Sequence, residues 1–266
     1  MPIDLVLVRH SESEGNVANK LSKRGDDRHF TKEFLNRHSS SWRLTDKGIW
    51  QAQKAGKWLK ENIDFKFDRF YVSEYIRALE TAAYLGLPNA KWFVEFYLRE
   101  RDWGDLDVMT EKERHKEYAK SLKRREIDSF FWTPPNGESM AQLCLRIDRV
   151  LNTLHRECTE KRIIIVCHGE VMWGFRVRLE RINQEEYKRL DASKNPFDHI
   201  HKCQVLHYSR RHPETNEIEP YLNWMKSICP YEPTLSKNSW GKIQRHSFSN
   251  DELMEKVKKV TRMISE

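Results

Sequence analysis

IDLVLVRHSESEGN, residues 3–16, opens with a short run rich in β-branched residues and interrupted only by Asp4, and it stops abruptly at Arg9-His10. An apolar run of this length without polar alternation is the pattern of a strand buried on both faces of a parallel sheet. A polar pair directly after such a strand is delivered to its carboxyl end, where open α/β sheets place their ligands.

The same pattern recurs downstream. Residues 163–167 (IIIVC) form the most strand-like run in the chain and end on His168. Residues 67–73 (FDRFYVS) read as a strand that passes directly into a helical stretch, EYIRALETAAYL, and residues 91–97 as another strand. Between these lie helices. Thr45 is placed to cap a helix with Ile49, Ala52, Gly56 and Leu59 on one face. Residues 110–125 are helical in composition with a wide polar face. After a Pro134-Pro135-Asn136-Gly137 turn, Met140, Leu143, Ile147, Val150, Leu151 and Leu154 mark a long helix, and a further helix is expected after His168. Residues 20–44 are polar, with Gly25 and a Ser39-Ser40-Ser41 cluster, and read as a long surface loop holding a short helix, a length that is often functional.

The alternation predicts a three-layer α/β/α domain over residues 1–208 with a mostly parallel central sheet. Past Tyr208 it fails. Residues 209–266 are expected to be an irregular C-terminal extension, a lid or packing appendage, ending in a helix whose capping box is Ser249 and Glu252. Its apolar face, Leu253, Val257, Val260 and Ile264, is expected to pack back on the domain, and tail aromatics such as Tyr221, Trp224, Tyr231 and Trp240 to form a satellite core.

The net charge of +7 suits an anionic partner, whether a phosphorylated small molecule, a nucleic acid or a membrane surface. No nucleic-acid-binding motif, long apolar span or leader-like start is present, so a cytoplasmic protein acting on a phosphorylated small molecule is expected, with neither nucleic acid nor membrane as partner. Oligomeric state is not legible. Cys144, Cys158, Cys167, Cys203 and Cys229 show no metal-ligand spacing and no disulfide framework, and no cofactor or metal is expected.

Four stretches carry the chemistry. LVLVRHSESEGN contributes Arg9, His10, Glu12 and Asn16; SEYIRALETA contributes Arg77; LRERDWGDLD contributes Glu100; IIIVCHGEVM contributes His168. In this order they resemble the histidine phosphatase superfamily, which contains the cofactor-dependent phosphoglycerate mutases and many broad phosphatases. The residues make physical sense beside the resemblance. A phosphoryl dianion needs fixed positive charge and donor forks, which Arg9 and Arg77 supply. Of two histidines at strand ends, one can attack phosphorus and the other donate to its oxygens: His10 and His168 respectively. The arginines keep His10 neutral by like-charge repulsion.

The resemblance further implies that Glu100 is the general acid and base, with Asp102 and Asp107 as nearby alternatives that spacing does not separate. It also implies that Asn16 helps hold the phosphoryl group; Gly169 is placed to offer a backbone N–H. Two positions depart from the family pattern: Ser11 stands where the family has Gly after the nucleophile, and Gly15 where mutases carry an aromatic residue. The PPNGES stretch and the FFW before it resemble the phosphatase branch, whereas Glu100-Arg101 resembles the mutases. The expected function is a metal-independent phosphomonoesterase working through a phosphohistidine on His10. The alternatives are a phosphoglycerate mutase-type phosphotransferase and a catalytically silent phosphate- or phosphopeptide-binding scaffold.

Overall fold

A computed structural model describes residues 1–264. In chain order, β1 (Asp4–Arg9) leads through α1 (Glu14–Ser22), α2 (Lys32–Leu35) and α3 (Asp46–Asn62) to β2 (Arg69–Val72), α4 (Ile76–Leu85) and β3 (Trp92–Val94). Helices α5 (Glu111–Glu117), α6 (Ala119–Ile127) and α7 (Met140–Glu157) then lead to β4 (Arg162–Cys167), α8 (Gly169–Glu180) and α9 (Gln184–Asp191). The chain closes with β5 (Val205–Ser209), β6 (Trp224–Ile228), β7 (Lys237–Lys242) and α10 (Asn250–Lys258).

The seven strands form one sheet in the order β3-β2-β4-β1-β5-β6-β7. The first four run parallel, and β5, β6 and β7 add antiparallel strands along one side. The central strands show why their sequences lack alternation. Leu5, Leu7, Ile163 and Ile165 pack into one cluster with Leu143 and Ile147 of α7 and Phe175 of α8. Val6, Val8, Ile164 and Val166 pack into the other with Ala52, Ala55 and Leu59 of α3 and Ala78 and Ala82 of α4. Both faces are dry, so the inner positions of both strands are apolar. The α/β/α layering expected from the sequence is the layering observed.

Several local expectations are corrected. Residues 14–22 form a helix that sequence reading left unassigned, because EGNVANKLS is polar and buries only Gly15, Ala18 and Ser22. The charged stretch 110–125 is two helices, broken at Tyr118. The extension is less irregular than its composition suggests: β6 and β7 continue the same sheet, and β6 pairs with β5 across the 208/209 position. Their sequences, WMKSI and KNSWGK, are polar because these strands are mostly half-buried or exposed. Trp240 packs on His207 at 4.8 Å between ring centroids, whereas Tyr221 is exposed. The apolar face of α10 does not pack back: Leu253 is 46% and Val257 59% exposed. Both sheet faces are already covered by α3, α4, α7 and α8, leaving it no core to join.

The five cysteines are free and buried. Among the described residues no helix is long and apolar enough to cross a membrane.

Arg146 of α7 ties the helix layer to the turn that follows β3. It donates to both carboxylate oxygens of Glu138 at 2.7 and 2.8 Å and to the carbonyls of Tyr97 at 2.5 Å and Glu100 at 3.3 Å. Both side chains are largely buried. Arg146→Met therefore leaves a carboxylate unpaired in the interior and should cost about 3–5 kcal/mol. Urea denaturation measures this, and an unshifted midpoint would refute the assignment.

Candidate active site

The parallel ladder sets the site. Arg9 of β1 faces Cys167 of β4, and the His10 N–H donates to the Cys167 carbonyl at 2.8 Å. The residues after these partners, His10 and His168, therefore leave the sheet side by side, with ring centroids 5.1 Å apart. Both are buried.

Hydrogen bonding orients the His10 ring. Its Nδ1 lies 2.7 Å from the Ser11 carbonyl oxygen, which can only accept, so Nδ1 carries the proton of the neutral ring. Nε2 is left with its lone pair, and the Arg77 Nε–H donates toward it at 3.3 Å. Arg77, on α4, is buried and held by the Ser39 carbonyl at 2.7 Å. Burial first, and then the positive charge of Arg77, hold His10 well below its ordinary pKa; the same two causes act in the same order on His168. Both imidazoles are neutral at physiological pH.

His168 Nε2 lies 2.8 Å from the Ser73 hydroxyl, while its Nδ1 is buried with no partner. Arg9 donates through Nη1 to the Ile200 carbonyl, and its Nε is likewise buried and unpartnered. Buried polar atoms are seldom orphaned, and these two, a donor and a potential donor, belong to the residues that flank His10 in the chain and across the ring contact. The Arg9 guanidinium lies close against the start of α8: a Cβ on Gly169 would stand 3.1 Å from its Cζ.

Arg9, His10, Asn16, Arg77, Glu100 and Gly169 line a single cavity of about 890 Å³, and the His168 ring packs against His10. The structure thus brings all seven sequence-derived residues together. Burial raises the pKa of Glu100, and the nearby Glu170 raises it further against the pull of Arg77. Asp102 is engaged in a turn, accepting from the Gly104 N–H at 2.8 Å. Asp107 also has a raised pKa, from burial, but bonds Ser39. Of the three acids only Glu100 clusters with the two histidines, their ligand atoms lying within 4.8 Å of one another. Two histidines and a carboxylate could hold a cation, but the Arg77 guanidinium 3.3 Å from His10 Nε2 opposes positive charge there. Glu12 is turned away, accepting from the Thr45 hydroxyl at 3.1 Å and pairing with Lys47 at 3.7 Å.

The two departures from the family pattern have structural accounts. The non-glycine positions with positive φ among the described residues do not include Ser11, so the turn after His10 needs no glycine. Its N–H and hydroxyl both engage Thr81 Oγ1, at 3.1 and 3.2 Å. Gly15 leaves space that Trp42 fills; a Cβ there would stand 2.0 Å from Trp42 Cε3. The aromatic ring is supplied from another loop.

Sequence reading missed Trp42, Ser39, Ser73 and Lys202. Lys202 adjoins Cys203, whose N–H approaches the His10 carbonyl at 3.5 Å. Burial, followed by the charges of Arg9 and Arg77, holds its amine well below the ordinary lysine range. Ser73 directly follows β2 and Ser39 lies in the serine cluster of the long loop, so both carry a weak local signal, whereas Trp42 and Lys202 carry none and are brought to the site by loop closure.

Residues 5–215 match the histidine phosphatase superfamily, branch 1, and the chain belongs to that superfamily. It is 29% identical over 191 residues to the 2,3-bisphosphoglycerate-dependent phosphoglycerate mutase of Bartonella tribocorum, covering 68% of this chain and 84% of that protein. It is also 29% identical over 216 residues to the phosphoglycerate mutase-like protein AT74 of Arabidopsis thaliana, covering 73% of this chain and 63% of that protein. Among solved structures, the alpha-ribazole phosphatase of Shigella flexneri superposes with a TM-score of 0.60 at 23% identity, over 77% of this chain and 89% of that one. Mycobacterial hydrolase 2 superposes with a TM-score of 0.61 at 16% identity, over 96% and 97%. At these identities the structural likeness is one of fold.

The contact between Gly169 and Arg9 is testable. Gly169→Ala should displace the guanidinium and weaken inorganic phosphate binding about tenfold, ~1.4 kcal/mol. Isothermal titration would measure it, and wild-type affinity would show that the close approach to Gly169 does not position Arg9 for phosphate.

Proposed function

We propose that this protein is a phosphomonoesterase in which His10 Nε2 attacks the phosphorus and carries the phosphoryl group as a phosphohistidine. The observation that carries this reading is the conjunction at His10: a buried neutral ring whose Nδ1 proton is fixed on a carbonyl, with its Nε2 lone pair facing the Arg77 guanidinium. Arg9 Nε, Arg77, Asn16 and the Gly169 N–H would hold the phosphoryl oxygens. If Ser73 donates its hydroxyl proton to His168 Nε2, then Nδ1 carries the other proton and becomes a fourth side-chain donor.

In the first step the Nε2–P bond forms and the P–O ester bond breaks, and protonated Glu100 gives its proton to the leaving oxygen. In the second, Glu100 takes a proton from water, hydroxide attacks phosphorus, and the bond to Nε2 breaks. Phosphate and neutral His10 are the products. The arginine and histidine donors supply the charge stabilisation that a divalent ion gives in other phosphatases, so turnover requires no metal.

Ser11 is not among the positive-φ residues and its hydroxyl is taken up by Thr81, which supports turnover over the silent-scaffold alternative. A mutase-type reading is favoured by the phosphoglycerate mutases among the relatives. It shares the first step and differs in whether water or a bound hydroxyl accepts the phosphoryl group.

Phenyl phosphate hydrolysis in the presence of EDTA, run beside a 3-phosphoglycerate mutase assay, tests the reading. Wild type should hydrolyse phenyl phosphate without mutase activity, and His10→Ala should lose at least about a thousandfold in kcat. EDTA-sensitive or His10-independent hydrolysis would overturn it, and mutase activity would establish the second reading.

The acid role of Glu100 has a pH signature. Its raised pKa keeps it protonated above the ordinary glutamate range, and the depressed pKa of His10 keeps that ring unprotonated below the ordinary imidazole range. For an alkyl phosphate, kcat/KM should therefore fall as pH rises through the Glu100 pKa. Glu100→Gln should abolish that limb while slowing alkyl more than aryl phosphates; an unchanged profile in the variant would assign the acid elsewhere.

A further inference from the structure

One carboxylate of the cavity stands apart from the phosphoryl chemistry. Glu170 follows Gly169 in the first turn of α8 and lines the same cavity as Arg9, His10, Arg77 and Glu100. A negative charge beside a site for a phosphoryl dianion repels the ligand, so its presence on this wall calls for a physical reason. An acid in a helix's first turn is favoured by the macrodipole, but that gain is open to any first-turn position and does not require one that faces the cavity.

Its anchor is Arg101. The Arg101 Nη1 lies 3.4 Å from Glu170 Oε2, with the arginine side chain 2% and the glutamate side chain 24% exposed. Arg101 does not depend on that contact. Its Nε donates to the Glu138 carbonyl at 2.7 Å and its Nη2 to the Trp132 carbonyl at 3.1 Å, and its guanidinium lies over the Trp103 and Trp132 rings. The backbone N–H of the same residue donates to Glu100 Oε1 at 3.0 Å. Arg101 thus ties both carboxyl groups, one through its side chain and one through its backbone, and leaves Glu170 within reach of solvent.

Charged groups face this pair from several elements. Burial first, and then the charge of Glu170, favour the protonated form of Glu100 and prevail over Arg77 of α4, the Arg101 N–H and Arg9 of β1. Burial lowers the Arg9 pKa, and Glu100 and Glu170 are the foremost charges opposing it, so both carboxyls face one guanidinium. Lys202 also faces Glu100, its amine held well below the lysine range by burial and then by Arg9 and Arg77. Tyr187 of α9 faces Glu170: burial first, and then that carboxylate, raises its phenol pKa. Carboxyl groups that share a site disfavour double ionisation, and the proton settles on the more desolvated of the two.

We propose that Glu170 is a positioning residue for proton transfer: its carboxylate, held on the cavity wall by Arg101, keeps the proton on Glu100 as the ester enters and weakens the hold of the site on product phosphate. The proposal rests on the His10-centred phosphatase reading with Glu100 as its acid. Glu100 still gives its proton to the leaving oxygen and takes one from water in the second step, while Glu170 gains and loses none. The same charge that disfavours the dianion therefore serves turnover, by loading the acid and by speeding release of phosphate.

The test follows glycerol 2-phosphate hydrolysis against pH for wild type, Glu170→Gln and Glu170→Asp, with inhibition by inorganic phosphate measured on the same preparations. In Glu170→Gln the alkaline fall of kcat/KM should move to lower pH by about one unit, because Glu100 loses the charge that holds its proton. Phosphate should at the same time inhibit at least about threefold more tightly. Glu170→Asp keeps the charge and should hold both readouts near wild type. The proposal is overturned if the alkaline limb of Glu170→Gln stays where it is in wild type, or if Glu170→Asp behaves as Glu170→Gln. Weaker phosphate inhibition in Glu170→Gln would also overturn it, since Glu170 would then only support Arg101 and the fold. An alkaline limb that survives Glu100→Gln, or hydrolysis that does not depend on His10, would instead sink the underlying assignment of acid or nucleophile.

Discussion

Arg9 of β1 and Cys167 of β4 are partners in a parallel ladder, and the hydrogen bond from the His10 N–H to the Cys167 carbonyl extends that ladder one step past β1. This register makes the site possible. It releases the two histidines from adjacent strands at the same level, and a slip of one residue would send one ring to the opposite face of the sheet. The slip is prevented by the two core clusters, because Leu5, Leu7, Ile163 and Ile165 must meet α7 and α8 while Val6, Val8, Ile164 and Val166 meet α3 and α4.

The surrounding layers then give the site its electrostatics. Two neutral histidines and two guanidinium groups share a buried volume, an arrangement that burial disfavours until an anion arrives. The unpartnered Arg9 Nε and His168 Nδ1 express the same imbalance. Glu100 is shifted in the opposite sense, its pKa raised by burial and by Glu170, so the pocket holds neighbouring groups whose pKa values are pushed apart. Such divergence of neighbouring pKa values marks acid–base chemistry.

Support for these groups comes from loops remote in sequence. The Ser39 carbonyl holds Arg77, the Ile200 carbonyl holds Arg9, Ser73 holds His168, and Arg146 fixes the backbone of Glu100. Trp42 replaces a side chain that Gly15 lacks. The indole thus occupies the space beside α1 that a side chain at position 15 would take. Ser11 was the one residue in the nucleophile turn that departed from the family pattern, and its hydroxyl is absorbed by Thr81.

The sequence by itself determined the layer architecture and the members of the candidate phosphoryl site. Unbroken apolar strands declare burial on both faces through local composition, and Arg9-His10 and Cys167-His168 declare their places by ending those strands. Choosing Glu100 over Asp102 and Asp107 drew on resemblance in the sequence, and on position beside two histidines in the structure. Tertiary structure alone decided the rest. The strands β6 and β7 were illegible because half-exposed edge strands need no apolar alternation, and the unpacked face of α10 was misread because amphipathicity does not reveal whether a core has room. Trp42 and Lys202 were invisible, and Ser39 and Ser73 only weakly marked, for a related reason: their roles lie in contacts between segments tens of residues apart, and no local pattern encodes what chain closure brings together.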